Sequence, residues 1–192
     1  MKKLILLLIA ATPAFAQVTP ATPAGGSTGT AGTGVAGGAT AGKPKPLSAG
    51  DKKFVKDSLD GMFYVMDLAG KAKTNAKIEG TKTEANALKG DLDKVWAEVA
   101  TIASNNNEKI PTELTGGDKG KSDKLGKAGD KFDKEFFKIV NKEVEKLAKT
   151  FENSAKSGTD PEVKKAAGTW GALLKEHVTK LDSAEKEAAK AK

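Results

Sequence analysis

Apolar or small residues recur at alternating spacings of three and four between positions 78 and 102, and this periodicity constrains the fold more than any other feature. The positions are Ile78, Thr81, Ala85, Leu88, Leu92, Val95, Val99 and Ile102. Steps of three and four keep side chains on one face of an α-helix, which has 3.6 residues per turn. Such a helix is about 37 Å long and must bury this face against other elements of the domain.

Three further segments have the same periodicity. Ser48 and Asp51 form a capping box at the start of the first, and Asp160-Pro161 marks the start of the last. The expected buried faces are Val55, Leu59, Met62, Met66 and Ala69; Phe132, Phe136, Val140, Val144, Leu147 and Phe151; and Val163, Ala167, Trp170, Leu174, His177 and Leu181. No alternating pattern typical of strands is visible in the sequence. The sequence therefore predicts an all-α, antiparallel four-helix bundle over residues 47–182.

Two parts of this region are polar. The connection that follows the second helix, up to residue 129, is rich in Gly, Lys and Asp. We interpret residues 116–122 as a mobile lysine-rich loop, with a short helical turn near residues 122–127. Residues 183–192 consist almost entirely of Ala, Lys and Glu. They form a polar tail that can stay helical but has nothing to bury.

Residues 1–16 have the features of a secretory signal peptide. Two lysines precede a short apolar run, and Ala14 and Ala16 stand at the two positions that a signal peptidase reads. Cleavage would leave Gln17 as the new terminus. The apolar run is shorter than the ~20 residues that span a bilayer, and the chain has no cysteine to carry a lipid. We therefore expect export to the periplasm, the outer membrane or the medium, without a transmembrane segment after cleavage.

Residues 17–46 consist mainly of Thr, Ala, Gly and Pro and end in a Lys-Pro repeat. Such a stretch has too few apolar side chains to offset the entropy lost when its backbone is ordered. We expect a disordered tether. Two roles remain open for it: a plain spacer, or a cell-wall or surface tether with O-glycosylated threonines.

The net charge of +7 comes entirely from lysine, since the 32 basic residues include no arginine. Removal of the signal peptide with its two lysines lowers the charge to +5. Arginine binds phosphate and guanine bidentately, whereas lysine acts as a point charge. The sequence therefore predicts no specific nucleic-acid recognition. Electrostatic binding of envelope polyanions remains an alternative function.

Three segments of the chain, taken together, resemble a known family. They are Leu47-Ser48-Ala49-Gly50-Asp51-Lys52-Lys53-Phe54-Val55, Phe132-Asp133-Lys134-Glu135-Phe136, and the stretch from Gly158-Thr159-Asp160-Pro161-Glu162 to Lys175-Glu176-His177. Their order and spacing resemble the exported, ferritin-like helical domain of unknown function that is numbered forty-one forty-two. The resemblance covers residues 47–181. It implies a ferritin-like bundle and bacterial envelope export, often under the label of outer-membrane protein, and it implies no settled activity.

The resemblance also implies inward-facing histidines on the second, third and fourth helices, and this chain departs from that pattern. Leu92 stands at the second-helix position after Asp91, Val144 stands at the third-helix position, and His177 alone remains. His177 is therefore the candidate metal ligand, and the alternative is a core histidine with a hydrogen-bonded ring. A ferritin-type di-iron site needs Glu-x-x-His pairs from two helices, which one histidine cannot supply.

Other groupings of polar residues are weaker candidates for a site. An oxygen-only metal site would draw on Asp91, Asp93, Glu98, Asp133 and Glu143, which are more simply read as partners of nearby lysines. The Gly-Lys-Ser triplet at residues 120–122 lacks the strand and spacing of a phosphate-binding loop. No sequence context for a nucleophilic serine is present. The aromatic side chains, Phe63 and Trp96 among them, are expected to lie in the core; an exposed patch around Phe63, Tyr64 and Trp96 is the alternative and would mark a partner or membrane contact.

We therefore expect no catalytic residues and no cofactor. The sequence predicts a non-enzymatic binding or structural module with an envelope protein or polysaccharide as partner. A metal-binding or redox bundle of ferritin type that has lost most of its ligands is the alternative. The oligomeric state stays open.

Overall fold

The computed structural model describes residues 46–190, and these residues form five α-helices and one 3₁₀ turn. The predicted signal peptide, with Ala14, Ala16 and Gln17, lies outside the described residues, as do all but the last residue of the predicted tether and residues 191–192. The elements are α1 (Ala49–Asn75), α2 (Glu79–Asn105), α3 (Gly116–Gly126), the 3₁₀ turn (Gly129–Lys131), α4 (Phe132–Ser157) and α5 (Pro161–Lys190).

The four long helices form the predicted antiparallel bundle. Helix α1 packs against α2 and α4, and α5 packs against the same two helices. Short loops join α1 to α2 and α4 to α5, which makes each pair antiparallel. Between α2 and α5, Asp91 contacts His177 and Glu98 contacts Trp170, so position rises on one helix as it falls on the other. The prediction of an all-α antiparallel four-helix bundle is confirmed, with α3 as an addition.

The apolar stripes read from the sequence form the core. Every predicted stripe residue is buried except Ile78, Met66 and Trp170, which are half-buried. The core is wider than these stripes, since Phe54, Tyr64, Val65, Ala72, Phe137, Ala148 and Ala166 are also buried. A helix that packs against two neighbours buries a broader face than a single stripe of alternating spacing describes.

Helix α3 replaces the loop that the sequence led us to expect over residues 116–122. Its glycines disfavour helix by about 1 kcal/mol each, which is why the segment looked mobile. Tertiary contacts outweigh this cost: the Ser122 hydroxyl donates a hydrogen bond to the Asp67 carboxylate of α1, and Leu125 is buried. The interpretation as a mobile loop is therefore wrong.

The polar tail also differs in one respect from the expectation. Helix α5 continues to Lys190, and Ala184 and Ala188 are partly buried against the core. The Asn141 side-chain amide of α4 donates a hydrogen bond to Glu185 over 2.7 Å. The expectation that this segment buries nothing is wrong, because small alanine side chains let the end of α5 lie close to α4.

A buried carboxylate, Asp51, joins the start of α1 to the start of α5. The predicted cap is present: the Ser48 hydroxyl accepts a hydrogen bond from the Asp51 amide over 3.1 Å. The Asp51 carboxylate itself accepts hydrogen bonds from the Thr159 hydroxyl over 2.6 Å and from the Thr159 and Asp160 amides, both over 3.1 Å. Burial alone would raise the pKa of Asp51, but the hydrogen bonds from Thr159, Ser48 and Asp160 outweigh it and lower the pKa below its ordinary value.

Asp133 makes equivalent hydrogen bonds to the loop between α1 and α2. This residue lies in the first turn of α4 and is buried. Its carboxylate accepts hydrogen bonds from the amides of Lys77 and Ile78, over 3.1 and 3.2 Å, in the loop between α1 and α2. Loop amides that would otherwise lack a partner are thereby satisfied inside the fold.

None of the helices of residues 46–190 combines the length and apolar character needed to cross a bilayer.

The hydrogen bonds to the Asp51 carboxylate make the stability of the bundle depend on pH. Because the folded-state pKa is lowered, the carboxylate stabilises the fold above its unfolded-state pKa, about 4, and this contribution is lost as the pH falls through the folded-state value. We expect Asp51→Asn to lower the free energy of unfolding by roughly 2 kcal/mol at pH 7. The difference from wild type should shrink near pH 3, about one unit below the unfolded-state pKa, as measured by urea denaturation at both pH values.

The matched control is Asp57→Asn, which removes an exposed carboxylate that pairs with Lys53 on the same helix. It should change stability little at either pH, because exposed ion pairs contribute little. If Asp51→Asn lowered the free energy of unfolding as little as this control, the Asp51 carboxylate would not stabilise the junction of α1 and α5.

Candidate functional site

His177, the one imidazole of the chain, lies inside the bundle between α5 and α2. It is 1% exposed, and two acidic residues of α2 flank its ring. Nε2 lies 3.1 Å from Oδ2 of Asp91, and Nδ1 lies 3.5 Å from Oε1 of Glu84. The structure therefore places the predicted candidate in a polar cluster within an otherwise apolar interface.

The electrostatics of the cluster fix one proton of the ring. A hydrogen bond from the Lys94 ammonium, assisted by the one with His177, lowers the pKa of Asp91 below its ordinary value despite partial burial. An ionised carboxylate only accepts hydrogen bonds, so Nε2 of His177 carries a proton and donates it to Asp91. A ring protonated on both nitrogens can face both carboxylates favourably. A ring protonated on Nε2 alone turns its Nδ1 lone pair toward Glu84.

Glu84 is the member of this cluster that sequence reasoning missed. Its Oε1 and the His177 Nδ1 are both buried and lack a hydrogen-bond partner among the described residues. The signal that could have found it is spacing: Glu84 precedes Asp91 by seven residues, so both lie on the same side of α2. Without knowing that α5 lies against this side, the spacing alone does not single out Glu84 among the many exposed acids.

The carboxylates and the imidazole of this cluster do not converge on one point. The two carboxylates face different ring nitrogens, whose lone-pair directions diverge, so an ion about 2.1 Å from one nitrogen cannot also be coordinated by both carboxylates. Residues 46–190 contain no group of three or more His, Cys, Asp or Glu that could hold a metal ion. Metal ligation by His177 stays a prediction.

The five candidate carboxylates of an oxygen-only site are dispersed. Asp91 pairs with His177 and Lys94, Asp93 with Lys89, and Asp133 with loop amides. Glu98 accepts a hydrogen bond from the Trp170 indole over 2.5 Å. Glu143 lies half-buried on α4. The structure groups none of these carboxylates by threes into a site that could hold a metal ion among residues 46–190.

The positions at which the family resemblance implies further histidines are Leu92 and Val144. Both are buried in the core, at 1% and 0% exposure. They pack as apolar core residues here, so His177 has no second imidazole beside it.

The alternative of an exposed aromatic patch fits the structure only in part. Phe63 and Trp96 are half-buried and pack with ring centroids 5.6 Å apart. Tyr64 is 1% exposed, and burial, the largest cause, raises the pKa of its hydroxyl to about 12. The inclusion of Tyr64 in an exposed patch is therefore wrong, because its side of α1 is covered by the packing of α3 on that helix.

A stability measurement tests the structural role of His177. We expect His177→Ala to lower the free energy of unfolding by roughly 2–4 kcal/mol, since it leaves a cavity and removes one partner of the half-buried Asp91 carboxylate. Urea denaturation of this variant, of Asp91→Asn and of the double variant gives the coupling between the two residues. A coupling close to zero would show that the hydrogen bond contributes nothing.

Elemental analysis of the mature protein, without an affinity tag, separates the two readings of His177. A stoichiometric transition metal that disappears in His177→Ala would identify a ligand. Absence of metal from both proteins, together with a loss of stability in the variant, would identify a core histidine.

Comparisons with known proteins place the chain by fold and by family. Among solved structures it is similar to the crystal structure of a DUF305 fragment from Deinococcus radiodurans, with a TM-score of 0.66 and 9% sequence identity over 74% of this chain and 99% of that one. At this identity the likeness concerns the fold alone. The comparison with curated proteins gives no match. The sequence model of one family, described as "Domain of unknown function (DUF4142)", matches residues 36–184, which is most of the chain. The chain therefore belongs to the DUF4142 family.

Proposed function

We propose that this protein is exported to the bacterial cell envelope and that its helical bundle acts there as a non-enzymatic binding or structural module. The observation that carries the proposal is that the buried polar residues link parts of the fold to one another. Asp51, Asp133 and His177 lie at separate places, and each joins two elements of the fold.

A catalytic site needs a nucleophile, a base or an electrophilic group that converge on one point. Asp51, Asp133 and His177 do not converge, since each makes its hydrogen bonds with a different part of the fold. Buried polar residues of this kind are expected to stabilise the bundle. This leaves the surface as the part of the domain that is free to recognise a partner.

Export is supported by the sequence before the bundle. A positive start, an apolar run and small residues at positions 14 and 16 are the arrangement that signal peptidase requires. A segment rich in Thr, Ala, Gly and Pro then separates the cleavage point from the bundle, which suits a domain that acts at a distance from its point of attachment.

The export proposal predicts a defined mature terminus. Intact-mass measurement of the exported fraction should give a chain that begins at Gln17. Replacing both Ala14 and Ala16 by Leu should retain the precursor, because the peptidase needs small side chains at these positions. Phe15→Leu is the matched control and should be processed normally. Accumulation of the full-length chain in the cytoplasm of wild-type cells would contradict export.

The same mass measurement addresses the tether. Heterogeneous masses that collapse after removal of O-linked sugars would support a glycosylated surface tether. A single mass that equals that of residues 17–192 would support a plain spacer. Separately, reproducible turnover of a substrate that is lost on substitution of one bundle residue would overturn the non-enzymatic assignment.

A further inference from the structure

A groove rich in lysine lies where α3, the 3₁₀ turn and the start of α4 meet. Its volume is about 830 Å³. The residues that line it include five lysines, two acids and three apolar side chains. The lysines are Lys121, Lys124, Lys127, Lys131 and Lys138. Gly129, with a φ of +54°, reverses the chain between α3 and α4 and so brings lysines from both helices to one groove.

Most of the positive charge in this groove is uncompensated. The Lys121 ammonium lies 3.1 Å from Asp118, and Asp123 is occupied by Lys119 over 3.4 Å. The other four lysines have no carboxylate oxygen within 4.0 Å in the part of the chain that the structure describes. Unpaired lysines also occur elsewhere on the bundle beside i,i+4 lysine–acid pairs, but the groove gathers four of them around one concavity.

The acidic residue of the 3₁₀ turn pairs with a lysine outside the groove. Asp130 pairs with Lys77 of the loop between α1 and α2, and this pairing lowers the pKa of Asp130. Glu135 is the remaining acid that lines the groove. Five lysines and two acids leave a local net charge of +3. Four unpaired ammonium groups around one concavity raise the local concentration of anions.

The groove is also partly apolar. Leu125 forms a buried part of its lining, and Ala128 and Ile139 are half-buried there. A soluble polyanion such as polyphosphate offers negative charge but no apolar group that could contact these side chains. A phospholipid offers both, because its phosphate suits the ammonium groups and its glycerol and first methylenes suit the apolar side chains. The volume lies in the range that holds one small molecule, which fits one headgroup better than a polymer.

We propose that this groove docks the bundle on an anionic phospholipid bilayer, with the phosphate of a headgroup among Lys124, Lys127, Lys131 and Lys138. The proposal rests on the envelope location proposed above and names the partner of that module. Recognition is by charge rather than by stereochemistry, since lysine acts as a point charge. Attraction of this kind must weaken with salt, because the Debye length falls to about 3 Å at 1 M.

The test is sedimentation of the mature protein with vesicles made of equal parts of phosphatidylglycerol and phosphatidylcholine. We expect binding to these vesicles, none to pure phosphatidylcholine, and loss of binding at high salt. A lysine near an anionic membrane contributes roughly fivefold to the partition coefficient. A variant with all four unpaired groove lysines changed to Gln should therefore bind roughly 600-fold more weakly.

The matched control removes the same number of positive charges from parts of the surface outside the groove. It replaces four exposed lysines that have no ion pair among the described residues: Lys146→Gln, Lys165→Gln, Lys180→Gln and Lys186→Gln. This variant should keep most of its vesicle binding. Far-ultraviolet circular dichroism and urea denaturation should show that both variants fold like the wild type.

Three results of these binding measurements would overturn the proposal. They are no binding to the anionic vesicles, equal losses in the two quadruple variants, or groove substitutions that abolish binding to soluble polyphosphate while leaving vesicle binding unchanged, which would identify a soluble polyanion as the partner. Cell fractionation keeps this outcome separate from the proposed function. Envelope association that survives in the groove variant would reject the docking groove while leaving the envelope module intact.

Discussion

The burial of four apolar helix faces against one another is the constraint on which the rest of the structure depends. The chain has no cysteine, so no disulfide contributes to stability. Each fully buried Leu, Val or Phe side chain contributes about 1.5–3 kcal/mol relative to an exposed one, against the conformational entropy lost on folding. Residues such as Leu88, Phe136 and Leu174 on three different helices are almost completely buried. Any arrangement that separates one helix would expose its entire stripe to water.

Polar groups define how the ends of these helices join, which apolar burial leaves loosely specified. Asp51 reaches across 108 positions to bind the turn before α5, and Asp133 reaches back across 56 positions to the loop between α1 and α2. Both lie near the first turn of a helix, where a negative charge is also favoured by the helix dipole. Buried carboxylates are retained at these places because they satisfy several loop amides at once.

The distribution of charge divides the molecule into a structural interior and a surface available for recognition. Acids and lysines pair at i,i+3 or i,i+4 positions along α1, α2 and α4. The groove between α3 and α4 gathers four lysines without such a partner around one concavity. Unpaired charge costs little stability at an exposed position, so such a groove is compatible with the docking role proposed above.

The sequence by itself determined the four long helices, because period and capping are local properties. The stripe from Thr81 to Ile102, the Ser48 cap and the start of α5 at Pro161 were all predictable from spacing and residue type. The sequence also singled out His177, the one histidine of the chain. Tertiary structure alone decided that Glu84 and Asp91 flank that ring, that α3 is a helix in spite of its glycines, and that lysines of α3 and α4 share one groove. These features depend on distances between helices that are far apart in the chain, and helical periodicity carries no information about which faces meet.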